Sequence, residues 1–599
     1  MRYNPSAMSS KDNNDTSRRD SLYFILSLVR KHLPAILLGV SVLIVVDFVQ
    51  LVIPKLVQKT IDFLGQVRFS QSLIARYTVY ILLLSLSMVA LRFIWRMLII
   101  GSARKIEKEL RLTMFEHLQN LDFDFYNRSK TGDLMALMIN DVNAVRMATG
   151  PSFIALTDAL FMGTLSLVFM FSINVKLTLF AIIPLPGIIF LMARFGPMIQ
   201  NRFKAVQESF ASISSQTQES FSGIRVVKGF VQELSERGVF EQKCDEYVEK
   251  NIRLVKIWGF FYPSVTLLAN LSLTILYLFG GRAVITRSVS FGEFVSFAMY
   301  INLLVWPVIA TGWVFNLLQR GMASAGRILD LLNTKPRIED NRDEDFKIKE
   351  IHGDIRIENL TFSYEQDGRE VLKNINLQIP AFSSLGIMGK HGAGKSTLIA
   401  LLCRLFPITR GRILIDEKDI RRIPTDLLRR NIGYVPQDPF LFSDTIYNNI
   451  AFGLDDVSDE EVKRMADLTL MSEEIGEFTN GFDTVLGERG VTLSGGQKQR
   501  LSLARALIIK PAILILDDAF SSVDTSTEKE ILSNVFAEIK GKSTIIIISH
   551  RVSTVMECDR IVIIDEGWIR EQGTHQELIK KDGYYQRLYE LQKLEEVFV

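Results

Sequence analysis

The chain has 599 residues, a formal net charge of +2 and a mean hydropathy of +0.19. That length accommodates several domains, and the near-balanced charge gives no bulk attraction to nucleic acid. The hydropathy is high for a soluble protein, and the excess sits in long apolar runs before about residue 320. Cys244, Cys403 and Cys558 are far apart and match no metal spacing, so they read as buried or free thiols in a reducing compartment.

The first 20 residues are polar and lack the apolar core of a cleaved signal peptide, so 1–20 is expected to be a disordered tail. "SLYFILSLVRKHLP" follows, with apolar residues on one helix face, as a short helix lying on a membrane surface would have. Six stretches are then long and apolar enough to cross a bilayer, near 34–56, 77–101, 153–173, 176–198, 259–281 and 292–317.

Charge orients them. Residues 103–150 carry seven Lys or Arg and residues 199–257 carry nine, whereas "SINVK" has one and "GRAVITRSVSFGE" two. The two long links therefore read as cytoplasmic, and both termini with them. Each link continues a span as a mostly polar helix, so its turn lies well away from the bilayer. These turns are placed at 125–142 and 223–233, where they either are solvated hairpins or pass movement from a motor domain to the spans.

After Asn333 the composition becomes charged, with Pro336 inside it. Residues 21–320 are assigned to the membrane domain, 321–350 to a linker and 351–599 to an α/β domain in which short β-rich runs alternate with helical segments.

"GKHGAGKST" fits G-x-x-x-x-G-K-[ST] and lies between a strand-like "LGIM" and a helix-like "TLIALLCRLF", the context that a P-loop requires. It comprises Gly389, Lys390, His391, Gly392, Ala393, Gly394, Lys395, Ser396 and Thr397. The glycines let the backbone curl around phosphate, Lys395 reaches for the β- and γ-phosphates of ATP, and Ser396 is a Mg²⁺ ligand. Downstream, "ILILDD" is a second strand ending in acids, with Asp517 expected on the Mg²⁺ side. "LSGGQKQR" supplies Ser494, Gly495, Gly496 and Gln497 ahead of another helix, a second N-terminus suited to phosphate.

Together these motifs resemble those of an ATP-binding-cassette exporter half-transporter, from about Ser21 onward. The resemblance implies six transmembrane helices of the type I (type IV) exporter fold joined to an α/β P-loop NTPase domain. It implies that Tyr364 stacks on adenine, that Gln437 senses Mg²⁺ and contacts the membrane-domain turns, and that "GERG" (Gly487–Gly490) feels the same turns. "SSVD" (Ser521–Asp524) resembles the loop that touches the opposing motor, and His550 resembles the switch histidine at the γ-phosphate.

In that family one ATP lies between the P-loop of one nucleotide domain and the "LSGGQ" of another. One chain has one of each, so the resemblance implies a dimer working by alternating access in the inner (cytoplasmic) membrane. Fully active members typically place a glutamate, the general base, after the Mg²⁺ aspartate. Here that position is Asp518, one methylene shorter, and a misplacement of about an ångström can cost on the order of 10²-fold in rate. The chain therefore looks like the degenerate-site subunit of a heterodimeric multidrug exporter, with a glutamate-bearing partner. A homodimer with two slow sites is the rival.

Three activities stand open. They are multidrug export, lipid or lipid-A flipping, and an ATP-gated channel or regulatory subunit; the intact His550 and signature speak against the last. Asp47 and Asp158 are acids at membrane depth. They either attract cationic amphipathic substrates or pair with Arg92 or Arg96. Phe161, Met162, Trp306 and Trp313 line an adaptable cavity, or serve packing and lipid contact.

Overall fold

A computed structural model describes residues 13–64, 71–338, 350–364, 368–487 and 493–598. The chain divides into two units. The first runs up to Asn120 and resumes over Lys130–Lys335; the second takes Leu121–Ser129 and everything from Pro336 on.

The first unit is helical. Its six candidate spans among the described residues are Arg19–Leu64, Ser72–Asn120, Thr131–Ile173, Val175–Ser222, Glu233–Ile285 and Phe291–Asn333. Each expected apolar stretch falls inside one of them. The helices are much longer than a bilayer requires, because their polar halves continue the same hydrogen-bonded ladder. Residues 13–20, expected as disordered tail, are already helical, and "SLYFILSLVRKHLP" runs without a break into the first span. The sixth helix likewise persists to Asn333, so the first part of the expected 321–350 linker is helix; residues 339–349 and 1–12 lie outside the described residues.

The first span packs against the second and the sixth, and the fourth against the fifth. Small residues allow the closest approaches. A Cβ on Gly321 of the sixth helix would stand 2.3 Å from the Cβ of Ala148 in the third, which suits helices that associate by backbone proximity in lipid. Leu82, Leu86, Val89 and Phe93 form an exposed apolar stripe on the second span, a face that water solvates poorly and hydrocarbon does not. Single π-helical turns interrupt the ladder at Leu137–Asp141, Asp158–Met162 and Leu276–Gly280.

Among the described residues the second unit carries ten strands: β1 (Ile355–Ser363), β2 (Glu370–Ile379), β3 (Ser384–Met388), β4 (Arg410–Ile415), β5 (Lys418–Asp419), β6 (Ile432–Val435), β7 (Ile513–Asp517), β8 (Thr544–Ile548), β9 (Arg560–Asp565) and β10 (Trp568–Gly573). A four-stranded antiparallel sheet has the order β2-β1-β4-β5, and a six-stranded sheet the order β10-β9-β3-β8-β7-β6. All pairs of the larger sheet are parallel except β9 with β10. A sheet covered on both faces needs near-continuous apolar strands, which "ILIL" and "IIII" provide. Alternate residues serve opposite cores: Leu514, Leu516, Ile545 and Ile547 enter one, and Ile513, Ile515, Ile546 and Ile548 the other.

The turn Leu121–Ser129 belongs to this second unit. Its helix, Phe123–Arg128, is capped by Asp122, whose other carboxyl oxygen accepts from the Arg337 amide at 2.9 Å. Asp124 pairs with Arg128 at 2.6 Å and with Arg337 at 3.2 Å, and the Phe123 ring meets Phe406 edge-on at 5.8 Å. The turn is therefore earlier and shorter than the expected 125–142, since a membrane-unit helix has begun at Thr131. The second turn falls where it was expected, with a short helix over Ile224–Gly229.

Cys403 and Cys558 are buried, and burial pushes both thiols up to about 12; Cys244, on the fifth span, is half-buried.

Candidate functional site

Neighbouring parallel strands deliver their C-terminal ends to one edge, the usual place for a ligand in an open α/β sheet. The P-loop leaves β3, His550 follows β8, Asp517 closes β7 with Asp518 just past it, and Gln437 follows β6. The expected spacing thus becomes one cluster. A cavity of about 340 Å³ is lined by Tyr364, Val371, the loop from His391 to Thr397, Gln437, Asp518 and His550. A second, of about 260 Å³, shares His391, Gln437, Asp518 and His550. A larger cavity of about 440 Å³, around Glu350 and Lys542, holds none of the motif residues; chemistry, not size, picks the site.

Gly389 has φ 151°, and a Cβ there would stand 2.0 Å from the Ile564 carbonyl oxygen, so only glycine fits. Gly394, at φ 101°, is the N-cap of the helix Lys395–Leu402, with no side chain capping its first amides. The loop closes on its own lysine: Lys395 Nζ donates to the carbonyls of Gly389 at 2.9 Å and Lys390 at 3.1 Å. Burial holds this ammonium below the ordinary lysine range, with Asp518 and Asp517 pulling the other way. Ser396 Oγ donates to Asp517 Oδ1 at 3.3 Å. Burial raises the Asp517 carboxyl above the usual carboxylate range, against that hydrogen bond and the charge of Lys395.

Asp518 takes a left-handed φ of 45°, anchored by its amide donating to the Ile548 carbonyl at 3.0 Å. Its Oδ2 lies 3.5 Å from His550 Nε2. Burial, then the charge of Lys395, lowers His550 below the ordinary histidine range, with Asp518 pulling the other way. His391 lies over it, with ring centroids 4.4 Å apart. Tyr364 shares its hydroxyl hydrogen bond with Thr397 Oγ1 at 2.9 Å and packs edge-on against Phe362 and Phe406.

The signature stands apart. Ser494 caps the helix Gly495–Ile508 in a reciprocal box with Gln497, whose amide also donates to Glu474 at 2.7 Å. Ser494, Gly495, Gly496 and Gln497 line neither cavity at the P-loop. Of "GERG", Gly487 is described and 488–490 lie outside the described residues.

Two glutamines escaped the sequence reading. Gln499 joins the signature helix to the "SSVD" loop, donating to Ser521 Oγ at 2.8 Å and accepting from the Ser522 amide at 3.0 Å. Gln592, in the C-terminal helix Tyr584–Phe598, accepts from the Val552 amide at 2.7 Å and donates to the His550 carbonyl at 2.8 Å. Its bridge fixes the backbone on which His550 rides, and no local pattern marks a polar residue on a polar helix. Gln592→Glu keeps the acceptor but sets a carboxylate against the His550 carbonyl. Losing such a bond is worth about 1 kcal/mol. We expect phosphate release at saturating ATP to fall about fivefold with the KM for ATP unchanged; an unaltered rate excludes the positioning role.

Among the described residues no cluster of three or more His, Cys, Asp or Glu is placed to hold a metal ion. The Ser396–Asp517 pair nevertheless suits Mg²⁺, which keeps waters and substrate phosphates and needs only one or two protein oxygens.

Six long apolar helices joined to a P-loop sheet with these strand-end groups define a multi-pass membrane protein driven by an ATPase. Residues 36–308 match the ABC transporter transmembrane region and residues 372–521 match the ABC transporter domain. The chain belongs to the ABC transporter family, as an exporter half-transporter that binds ATP and couples its hydrolysis to transport. It is 35% identical over 93% of its length to the multidrug resistance-like ATP-binding protein MdlA of Escherichia coli (strain K12), covering 94% of that protein. It is 32% identical over 96% of its length to the ATP-dependent lipid A-core flippase of Syntrophus aciditrophicus (strain SB), covering 95% of that protein. A bacterial Atm1-family ABC exporter with ATP bound superposes with a TM-score of 0.74 at 26% identity, over 94% of this chain and 99% of that one.

Proposed function

We propose that this chain exports amphipathic small molecules across the cytoplasmic membrane as one half of a heterodimer, and that the ATP site built on its own P-loop is the slower of two. The observation that carries the reading is Asp518. It occupies the position where fully active members of the family typically place glutamate, at the rim of the cavity.

The residues divide the work. Lys395 meets the charge of the transferring phosphates, and the P-loop amides cradle them. Ser396 and Asp517 would hold Mg²⁺, which supplies neutralisation of charge on the phosphate oxygens when bound. Asp518 orients the attacking water and takes its proton, Gln437, on the same cavity, would help to hold that water and the ion, and His550 holds the γ-phosphate. Tyr364 packs against the adenine. The absence of Ser494–Gln497 from the cavity lining supports a site completed by another chain's signature. Closure of two such sites on ATP would then reverse the access of the membrane cavity. The Lys and Arg excess of the long links supports cytoplasmic termini.

The multidrug reading also draws on the MdlA likeness, and the flippase likeness keeps a lipid cargo as the second reading. Vesicle transport with drugs and with labelled lipids separates them. For the heterodimer, the test is purification from native membranes. A second half-transporter with glutamate after its strand-end aspartate is expected in equal amount. Recovery of this chain paired only with itself, hydrolysing ATP rapidly, overturns the proposal.

A further inference from the structure

The membrane unit holds a cavity of about 350 Å³ that the motor does not use. Its polar lining comes from several spans: Asp47 and Gln50 from the first, Arg92, Trp95 and Arg96 from the second, Asp158 from the π turn of the third, and Asn302 and Trp306 from the sixth. Asp47 is 3% exposed, and its Oδ2 has no hydrogen-bond partner. Trp95, 8% exposed, leaves its Nε1 donor unpartnered beside it. An unpaired carboxyl at membrane depth is costly and is retained where it serves a function.

Arg92 lies close enough for its charge to act on both acids, yet among the described residues no cation is hydrogen-bonded to Asp47. Arg92 Nη2 donates to Gln50 Oε1 at 3.0 Å, and the Arg96 guanidinium lies over the Trp95 ring at 5.5 Å. Among the described residues, no ion pair reaches Asp47 or Asp158. Asp158 Oδ2 instead accepts from Trp306 Nε1 at 3.0 Å, which turns that indole toward the acids.

Resting on the exporter reading, we infer that this cavity is the recognition site for an amphipathic amine: an ammonium N–H answers Asp47 with Asp158 as second acid, an oxygen acceptor answers Trp95, and an apolar or aromatic body packs against Trp306 and Met162. The ammonium group has two sources, a soluble amine or a lipid head group, and both meet the same carboxyls. The π turn at Asp158–Met162 is the local device that aims Asp158 inward.

The test uses the full-length chain in phosphatidylcholine nanodiscs without ATP. Dansylcadaverine carries a primary ammonium, sulfonamide oxygens and a naphthalene; N-pentyl dansylamide is its uncharged counterpart. Saturable fluorescence binding of the ammonium probe is expected, about tenfold tighter than that of the uncharged probe, as befits a charge-assisted hydrogen bond. Asp47→Asn should remove that advantage and leave the uncharged probe unaffected. Asp158→Asn, which keeps an oxygen acceptor for Trp306, is the second variant should the first fail to fold, with retained ATP binding as the folding control. Equal affinity for the two probes, or undiminished binding of the ammonium probe by the folded variants, overturns the inference. Displacement of the probe by phosphatidylethanolamine in the nanodisc assigns the ammonium to a lipid, and no displacement assigns it to a soluble amine. If the probe binds through Asp47 yet is not moved by ATP in vesicles, the exporter reading fails and the site stands.

Discussion

Asp518→Glu is expected to raise ATP turnover at this chain's own P-loop by roughly tenfold to a hundredfold. The backbone is already set for it. Asp518 is held in the left-handed region by the hydrogen bond from its amide to Ile548, so the side chain leaves the strand end at a fixed angle. Its carboxyl stops 3.5 Å from His550 Nε2, and both groups line the cavity beside the P-loop. Because Asp518 lines two cavities, one further methylene has space to enter, which limits the overpacking that penalises larger side chains. The measurement is conversion of ATP to ADP by nucleotide photo-crosslinked to this chain, which excludes turnover at a partner's P-loop. Unchanged conversion in the variant would show that the length of this acid does not limit the reaction.

Lys395→Met is expected to weaken ATP binding at the same site by one to two orders of magnitude, in keeping with about 1.5–3 kcal/mol for hydrogen bonds to a charged group. Lys395 is 6% exposed and spends its ammonium on two carbonyls of its own loop, so the loop is pre-shaped around the charge that will meet phosphate. Methionine fills much of the same space without the charge, which separates lost binding from lost folding. A fluorescent ATP analogue titrated against both proteins reads the affinity directly. Equal occupancy would place the nucleotide elsewhere.

Much of this was legible before any coordinates, for physical reasons. A bilayer imposes length and hydropathy on whatever crosses it, so the six apolar stretches identified themselves. A sheet buried on both faces forces continuous apolar strands, and the motifs stand at their ends: Gly389 after β3, Asp517 at the end of β7, His550 just past β8. What the sequence hid is long-range. The first turn begins at Leu121 and joins the nucleotide-binding unit through Arg337 and Phe406, partners more than 200 residues away that no local periodicity reports. Gln592 reaches His550 from 42 residues downstream. The polar continuations of the spans were legible as helices in the two long links, but the charged stretch after residue 320 was read as linker although the sixth helix runs to Asn333. The π turns depend on one extra residue per turn and leave no compositional trace.

The three cysteines have a practical consequence. Two sit in the dry interior of the nucleotide-binding unit with their thiols held protonated far above neutral pH, conditions under which alkylation is slow. Cys244, on the fifth span, is half-buried, so a maleimide dye is expected to label it ahead of the other two. The wild-type chain therefore carries its own single attachment point for a fluorophore or spin label. Distance changes along the transport cycle become measurable from that point without first stripping the sequence of thiols.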